Sequence, residues 1–272
     1  GDVSHRIAGG RRPVTTAPLD GCCVLVTRPE GQSRALTEAI EEAGGSVIRF
    51  PVIRIVPRGV GEIEDELGAV AQPDIIIFVS RNAVSCGLEH VRGLGAAIGA
   101  VGPSTAAAIE AAGVSVDILP AETFDSEHLL ETPGLKDVDG KRILIVRGES
   151  GRELLADTLR ERGATVSYLP VYQRKANVLP AEAVERVAME LAAARVDCIA
   201  VMSVQTLECL LELLPASAGA ALRKTPLVAP GDRVIQTASE LVPGMPAIRA
   251  AGPRAADIVN ALIDWRQSGQ TE

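Results

Sequence analysis

The chain has 272 residues, a formal net charge of −8, and a composition that is 47% hydrophobic but only 2% aromatic. That length suits two domains, and the composition suits aliphatic cores between α/β layers rather than a sandwich or barrel. The acidic balance argues against general nucleic-acid binding, and no apolar run approaches the roughly 20 residues of a membrane helix.

Residues 1–20 are rich in Gly, Pro and Thr, lack periodicity, and are expected to form a mobile tail. Val24–Thr27 is the first predicted strand and Gly31–Ala43 the first helix. Val47–Val56 then reads as one long strand through Pro51, followed by a helix over 58–72. Ile75–Val79 is an apolar run of the kind a strand buried on both faces needs, and it leads through Ser80-Arg81-Asn82 into a helix. Ile98–Val101 leads through Gly102-Pro103-Ser104-Thr105 into a helix ending at Gly113, with a short strand at Val114–Ile118 and a helix at Ser126–Glu131.

The next strand, Ile143–Val146, opens into Arg147-Gly148-Glu149-Ser150-Gly151 and a helix built on Leu154, Leu155 and Leu159. Gly163 stands where a C-cap glycine belongs. Thr165–Tyr172 is a strand carrying Pro170, and a proline cannot donate to a ladder, so the chain is expected to leave its sheet there. Cys198–Met202 and Pro226–Ala229 are further strands, each followed by a turn and a helix, and Ala247–Ala250 and Arg254–Trp265 close the pattern. Residues 266–272 read as a C-terminal tail.

An internal repeat underlies this alternation. Moved by 119 positions, Val24–Ile55 lies on Ile143–Arg174 without a gap, with nine identities in 32 positions. The identities fall at the turn (Arg28 and Arg147, Glu30 and Glu149), at the cap (Gly44 and Gly163), and at Pro51-Val52 and Pro170-Val171. Strand–helix alternation of this kind predicts parallel sheets covered on both faces.

In such sheets ligands bind beyond the carboxyl ends of the strands. Three loops per half lie there: Arg28–Gln32 with Arg147–Gly151, Ser80–Asn82 with Ser203–Thr206, and Gly102–Thr105 with Gly231–Arg233. Each precedes a helix and presents free backbone N–H groups, an array suited to several anionic groups at once. The candidate contacts are Arg28, Ser80, Arg81, Asn82, Gly102, Ser104, Thr105, Arg147, Gly148, Ser203, Val204, Gln205, Thr206 and Gly231. Each also has a plainer reading. Ser80, Ser104 and Ser203 suit simple N-caps; the arginines, with Arg54, Arg174 and Lys175, suit a solvated surface; and Tyr172 suits a core or interface. The five cysteines (Cys22, Cys23, Cys86, Cys198, Cys209) are odd in number and never spaced CxxC, so they read as reduced packing residues. The three histidines have no ligand-like spacing and no metal is expected. With no secretory signal pattern, a cytoplasmic protein is expected.

The order and spacing of VLVTRPEGQS, DIIIFVSRNAV, AVGPSTA, VRGESGRELLADTLRERGATVSYLPVYQR and DCIAVMSVQTL closely resemble the bacterial uroporphyrinogen-III synthase family, from residue 21 to 265. The resemblance implies two similar flavodoxin-like α/β domains joined by a two-stranded linker. One domain would be residues 21–50 with 175–265, the other 56–168, and the linkers 51–55 and 169–174. It implies a cyclising hydro-lyase that needs no cofactor and acts on a linear tetrapyrrole. Hydroxymethylbilane would lose its hydroxyl, ring D would attack through its substituted carbon to give a spiro intermediate, and reclosure would leave ring D inverted. The family's V-Y-Q tyrosine corresponds to Tyr172, whose implied role is a proton donor to the departing hydroxyl. Its Ser/Thr turns correspond to Ser80, Ser104, Thr105, Ser203 and Thr206. Gly231-Asp232-Arg233-Val234 departs from the family, where a Ser or Thr is usual, and Arg233 is the candidate replacement. A monomer is expected, with at most transient contact with the preceding pathway enzyme. A bilobed anion-binding sensor without catalysis is the alternative from a different class.

Overall fold

The computed structural model describes residues 17–121, 126–151 and 153–269. The chain divides into two compact units, 1–53 with 176–272, and 54–175.

The first unit contains β1 (Cys23–Val26), α1 (Arg34–Glu42) and β2 (Ser46–Arg49) from the amino-terminal part. Its remainder holds α8 (Ala181–Ala192), β8 (Cys198–Ala200), α9 (Val204–Leu213), α10 (Gly219–Leu222), β9 (Leu227–Ala229), α11 (Asp232–Leu241), β10 (Ala247–Arg249) and α12 (Ala255–Gly269). The strand order is β10-β9-β8-β1-β2, with every pair parallel. α8 lies in a stretch to which the sequence pattern assigned no element; it starts after Pro180 and buries Val187 and Leu191.

The second unit contains β3 (Ile53–Pro57), α2 (Val60–Gly68), β4 (Ile75–Phe78), α3 (Arg81–Val91), β5 (Ala97–Ala100) and α4 (Pro103–Ala111). The short helices α5 (Ser126–Leu130) and α6 (Pro133–Lys136) follow, and then β6 (Arg142–Gly148), α7 (Leu154–Glu161) and β7 (Thr165–Ala176). The order is β3-β7-β6-β4-β5. The repeat is visible strand by strand: β2-β1-β8-β9 in one sheet corresponds to β7-β6-β4-β5 in the other. The counterpart of β10 is reduced to a single bridge, Gly99 to Ile118, where a strand over Val114–Ile118 was expected.

The strands are uninterrupted aliphatic runs because both faces are buried. In the second sheet Ile76, Phe78, Leu144 and Val146 face one cluster, and Ile75, Ile77, Ile143 and Ile145 face the other. In the first, Leu25 packs on one side and Val24 and Val26 on the opposite side. Each such side chain removed from water is worth about 1.5–3 kcal/mol.

The two prolines behave differently. β2 ends before Pro51, so the expected single strand Val47–Val56 is two strands, and β3 starts only at Ile53. β7 instead continues through Pro170 as a strand of twelve residues, contrary to the expected departure. A register shift absorbs the missing donor: Arg147 pairs with Pro170, but Gly148 pairs with Tyr172. Val171 is the extra residue, and its carbonyl accepts from Arg58 N at 3.0 Å on the β3 side. The segments read as linkers, 51–55 and 169–174, thus contribute β3 and part of β7 to this sheet.

The described parts of both expected tails are packed or helical. Residues 1–16 of the expected tail lie outside the described residues, but 17–20 form a packed turn in which Leu19 is 0% exposed. Leu19 N donates to Ala43 O at the end of α1. α12 runs on to Gly269, through most of the expected C-terminal tail, and 270–272 lie outside the described residues.

Gly44 and Gly163 end the two repeated helices with φ of +89° and +87°. A Cβ on Gly44 would also lie 2.4 Å from Ala17 Cβ, which has no rotatable end to give way, whereas Gly113, at φ +78°, faces open space. Gly44→Ala is therefore expected to cost about 2 kcal/mol or more, against about 1 kcal/mol for Gly113→Ala. Urea denaturation of the two variants checks this; equal losses would remove the clash from the explanation.

Candidate functional site

In the second unit the chain runs outward from β4 to β5 and returns on the other side of β4 with β6, so the crevice of this sheet opens between the ends of β4 and β6. Ser80 follows β4 and Gly148 ends β6, and Tyr172 is the register partner of Gly148. The Tyr172 hydroxyl lies 3.3 Å from Ser80 Oγ and accepts from Arg174 Nη2 at 3.4 Å. The Arg174 guanidinium sits 5.9 Å from the Tyr172 ring centroid. Tyr172 itself is 2% exposed and packs in the core beneath α3, with its hydroxyl end meeting Ser80 and Arg174. Gly148 is what permits this seat, since a Cβ there would fall 2.9 Å from ring atoms Cε2 and Cζ. The adjoining backbone is pinned as well: Glu149 N donates to Tyr172 O at 3.0 Å, and Gln173 Nε2 bonds the Glu149 carboxylate. Arg58 joins the cluster, donating to Glu66 at 2.8 Å and to Pro170 O at 3.1 Å, with Glu149 at 3.9 Å. Sequence reasoning set Arg174 aside as solvated and did not consider Arg58. What brings Arg174 to the phenol is the two-residue offset along β7, which puts both side chains on one face.

The helix-opening turns repeat closely between the units. Ser80 and Ser203 both have extended backbone, and each Oγ accepts from the backbone N–H three residues on, Ala83 and Thr206, at 3.2 Å. Ser203 Oγ also lies 2.8 Å from Thr206 Oγ1, and Thr206 is buried. These serines are N-caps, and the one on α3 additionally meets the phenol. Arg81 and Asn82 open α3, Arg81 exposed and Asn82 half-buried; Val204 and Gln205 open α9, both half-buried. α4 and α11 are capped by Gly102 and Gly231, again with matching extended backbone. Ser104 is therefore not the N-cap expected of it: it is exposed one position inside α4, after Pro103, while Thr105 is buried. Arg233, in the turn that departs from the family, is exposed in the first turn of α11, and its neighbour Asp232 pairs with Arg249 at 2.8 Å.

The repeated arginines diverge. Arg28 is half-buried and donates to Pro253 O at 3.4 Å. Arg147 is only 6% exposed, pairs with Glu153 at 3.0 Å, and has the Tyr168 ring 4.5 Å from its guanidinium. Tyr168 in turn donates to the second Glu153 oxygen. The Tyr168 hydroxyl first and Arg147 second hold the Glu153 carboxyl below the usual carboxylate range. Arg147, expected at the loop rim, is withdrawn into this cluster.

Among the described residues no group of three or more His, Cys, Asp or Glu is placed to hold a metal. No helix among them is long and apolar enough to cross a membrane.

Residues 34–260 match the family model described as Uroporphyrinogen-III synthase HemD. The uroporphyrinogen-III synthase of Escherichia coli K12 is 32% identical over 199 residues, covering 71% of this chain and 80% of that protein. The enzyme of the same name from Synechococcus elongatus is 29% identical over 211 residues, covering 74% and 78%. The uroporphyrinogen-III synthetase structure from Helicobacter pylori 26695 shares the fold with a TM-score of 0.59 at 14% identity, covering 90% of this chain and 99% of that one. A mutant uroporphyrinogen III synthase from Thermus thermophilus does so at 0.55 and 22%, covering 92% and 100%. With the family model spanning most of its length and a relative of this identity covered over four-fifths, the chain belongs to the uroporphyrinogen-III synthase family.

Proposed function

We propose that the chain cyclises hydroxymethylbilane to uroporphyrinogen III, with Tyr172 as the proton donor and helix-opening turns as carboxylate contacts. The observation that carries the residue assignment is the Tyr172 hydroxyl held between Ser80 and Arg174 at the strand ends. The C–O bond of the hydroxymethyl group breaks, its electron pair leaves with the oxygen, and the phenolic proton goes to that oxygen to form water. The ring A pyrrole nitrogen supplies the electrons and becomes an azafulvenium. The cationic Arg174, already donating to the phenol oxygen, stabilises the phenolate left behind. When ring D has attacked through its substituted carbon, fragmented and reclosed, the surplus carbon-bound proton returns to that phenolate. The buried ring limits the phenol to acting at its hydroxyl tip, directly or by way of Ser80 Oγ.

Carboxylates suit the turns capped by Ser80, Gly102, Ser203 and Gly231, where free N–H groups and the helix dipole favour anions by about 0.3–1 kcal/mol each. Positioning accounts for the inversion: the substituted carbon of ring D must be brought to ring A before the free one, and orientation of this kind is worth several kcal/mol. Nothing observed favours the binding-only alternative. The test is incubation with hydroxymethylbilane, oxidation of the product, and chromatographic separation of isomers. Isomer III in excess is expected; isomer I at the rate of the protein-free control would defeat the reading.

A further inference from the structure

The repeat supplies an internal control for its own first loop. In the second copy, Arg147 is neutralised by Glu153, covered by Tyr168, and left 6% exposed. The positions equivalent to Glu153 and Tyr168 in the first copy, 119 residues earlier, are Arg34 and Arg49. Arg34 turns outward to pair with Glu38 along α1. Arg49 ends β2 on the surface, and its side chain has no hydrogen bond or ion pair among the described residues. The first-copy arginine, Arg28, thus lacks both groups that close over its twin. In their place is an open pocket lined by Arg28, Glu30, Ser33, Arg49 and Pro51. Two guanidiniums against one carboxylate leave this pocket net positive within a chain of net charge −8.

We infer that Arg49 is a substrate-binding residue that, with Arg28, holds one carboxylate of the linear tetrapyrrole in this pocket, while Arg147 serves structure alone. This deepens the reading of the chain as a synthase and rests on it. The duplication has split one ancestral loop into two jobs. Glu and Tyr at the partner positions make a self-contained ion pair, and Arg at both makes an anion seat. A guanidinium with no internal partner loses no existing bond when it takes up a carboxylate, and its planar fork suits that group bidentately.

The test is steady-state kinetics with hydroxymethylbilane at low and at raised salt, on enzyme already shown to yield isomer III. Arg49→Gln is expected to raise KM about five- to tenfold with kcat within about twofold, because a charge-assisted contact made alike in ground and transition states is lost. Arg49→Lys should recover part of the loss, and raised salt should shrink the difference between wild type and Arg49→Gln. Arg34→Gln removes the same charge from a side chain that is 86% exposed and already paired, and should leave KM unchanged. An unchanged KM in Arg49→Gln would overturn the inference while leaving the synthase reading intact. So would an equal rise in Arg34→Gln, which would reduce the effect to net charge, or a loss confined to kcat. Absence of isomer III from the wild type would instead defeat the synthase reading itself.

Discussion

Tyr172→Phe is expected to lower turnover at least about tenfold, a loss of about 1.4 kcal/mol of transition-state stabilisation. The ring keeps its packing against the core, so the variant should fold. What disappears is the hydroxyl that meets Ser80 at 3.3 Å and Arg174 at 3.4 Å. Contacts of that length contribute little to stability, about 1 kcal/mol at most. A fall in kcat without a comparable fall in the denaturation midpoint would therefore separate chemistry from folding. The product should remain mainly isomer III, because inversion depends on how the bilane is held rather than on which group protonates the leaving hydroxyl. A folded Tyr172→Phe enzyme with wild-type turnover would return the tyrosine to a packing role.

Gly148→Ala should produce a loss of similar size by a different route. The added Cβ would meet the Tyr172 ring at 2.9 Å, and a buried aromatic ring cannot yield as a flexible chain end does. The ring must shift, carrying its hydroxyl away from Ser80, and overpacking of this kind costs about 1–3 kcal/mol of stability. We expect turnover to fall about tenfold and the urea midpoint to drop. The informative measurement is the double variant. In a Tyr172→Phe background the same alanine should add little further loss of turnover, while its stability cost persists, because the hydroxyl it displaces is already gone. Multiplicative loss in the double variant would show that Gly148 acts on catalysis independently of the tyrosine.

Much of the fold was legible in local pattern. The aliphatic runs at β4 and β6 announced strands buried on both faces, Gly44 and Gly163 announced positive-φ helix ends, and Ser80 and Ser203 announced N-caps; all are where the pattern put them. These features depend on neighbours a few residues away, so a single sequence contains their causes. The two-domain α/β class and the catalytic family followed from the same runs and turns taken in order.

What required the tertiary structure was the partner of each polar side chain. Arg28 and Arg147 occupy the same place in the same motif, and what separates them is the residues at their partner positions, Arg34 and Arg49 against Glu153 and Tyr168. Arg147 is withdrawn because β6 and β7 pair in a register that sets Tyr168 over it, and because Glu153, the residue before α7, lies beside it. Pro170 was expected to eject its strand, but the shift between Arg147 and Gly148 let β7 continue to Ala176, which brings Arg174 to the Tyr172 hydroxyl. Strand register is a cooperative property of whole sheets, decided by the burial of both faces at once. Propensity, caps and turns could therefore be read from the chain itself, whereas the ring that covers a buried arginine and the serine that meets a buried phenol were set only when distant strands paired.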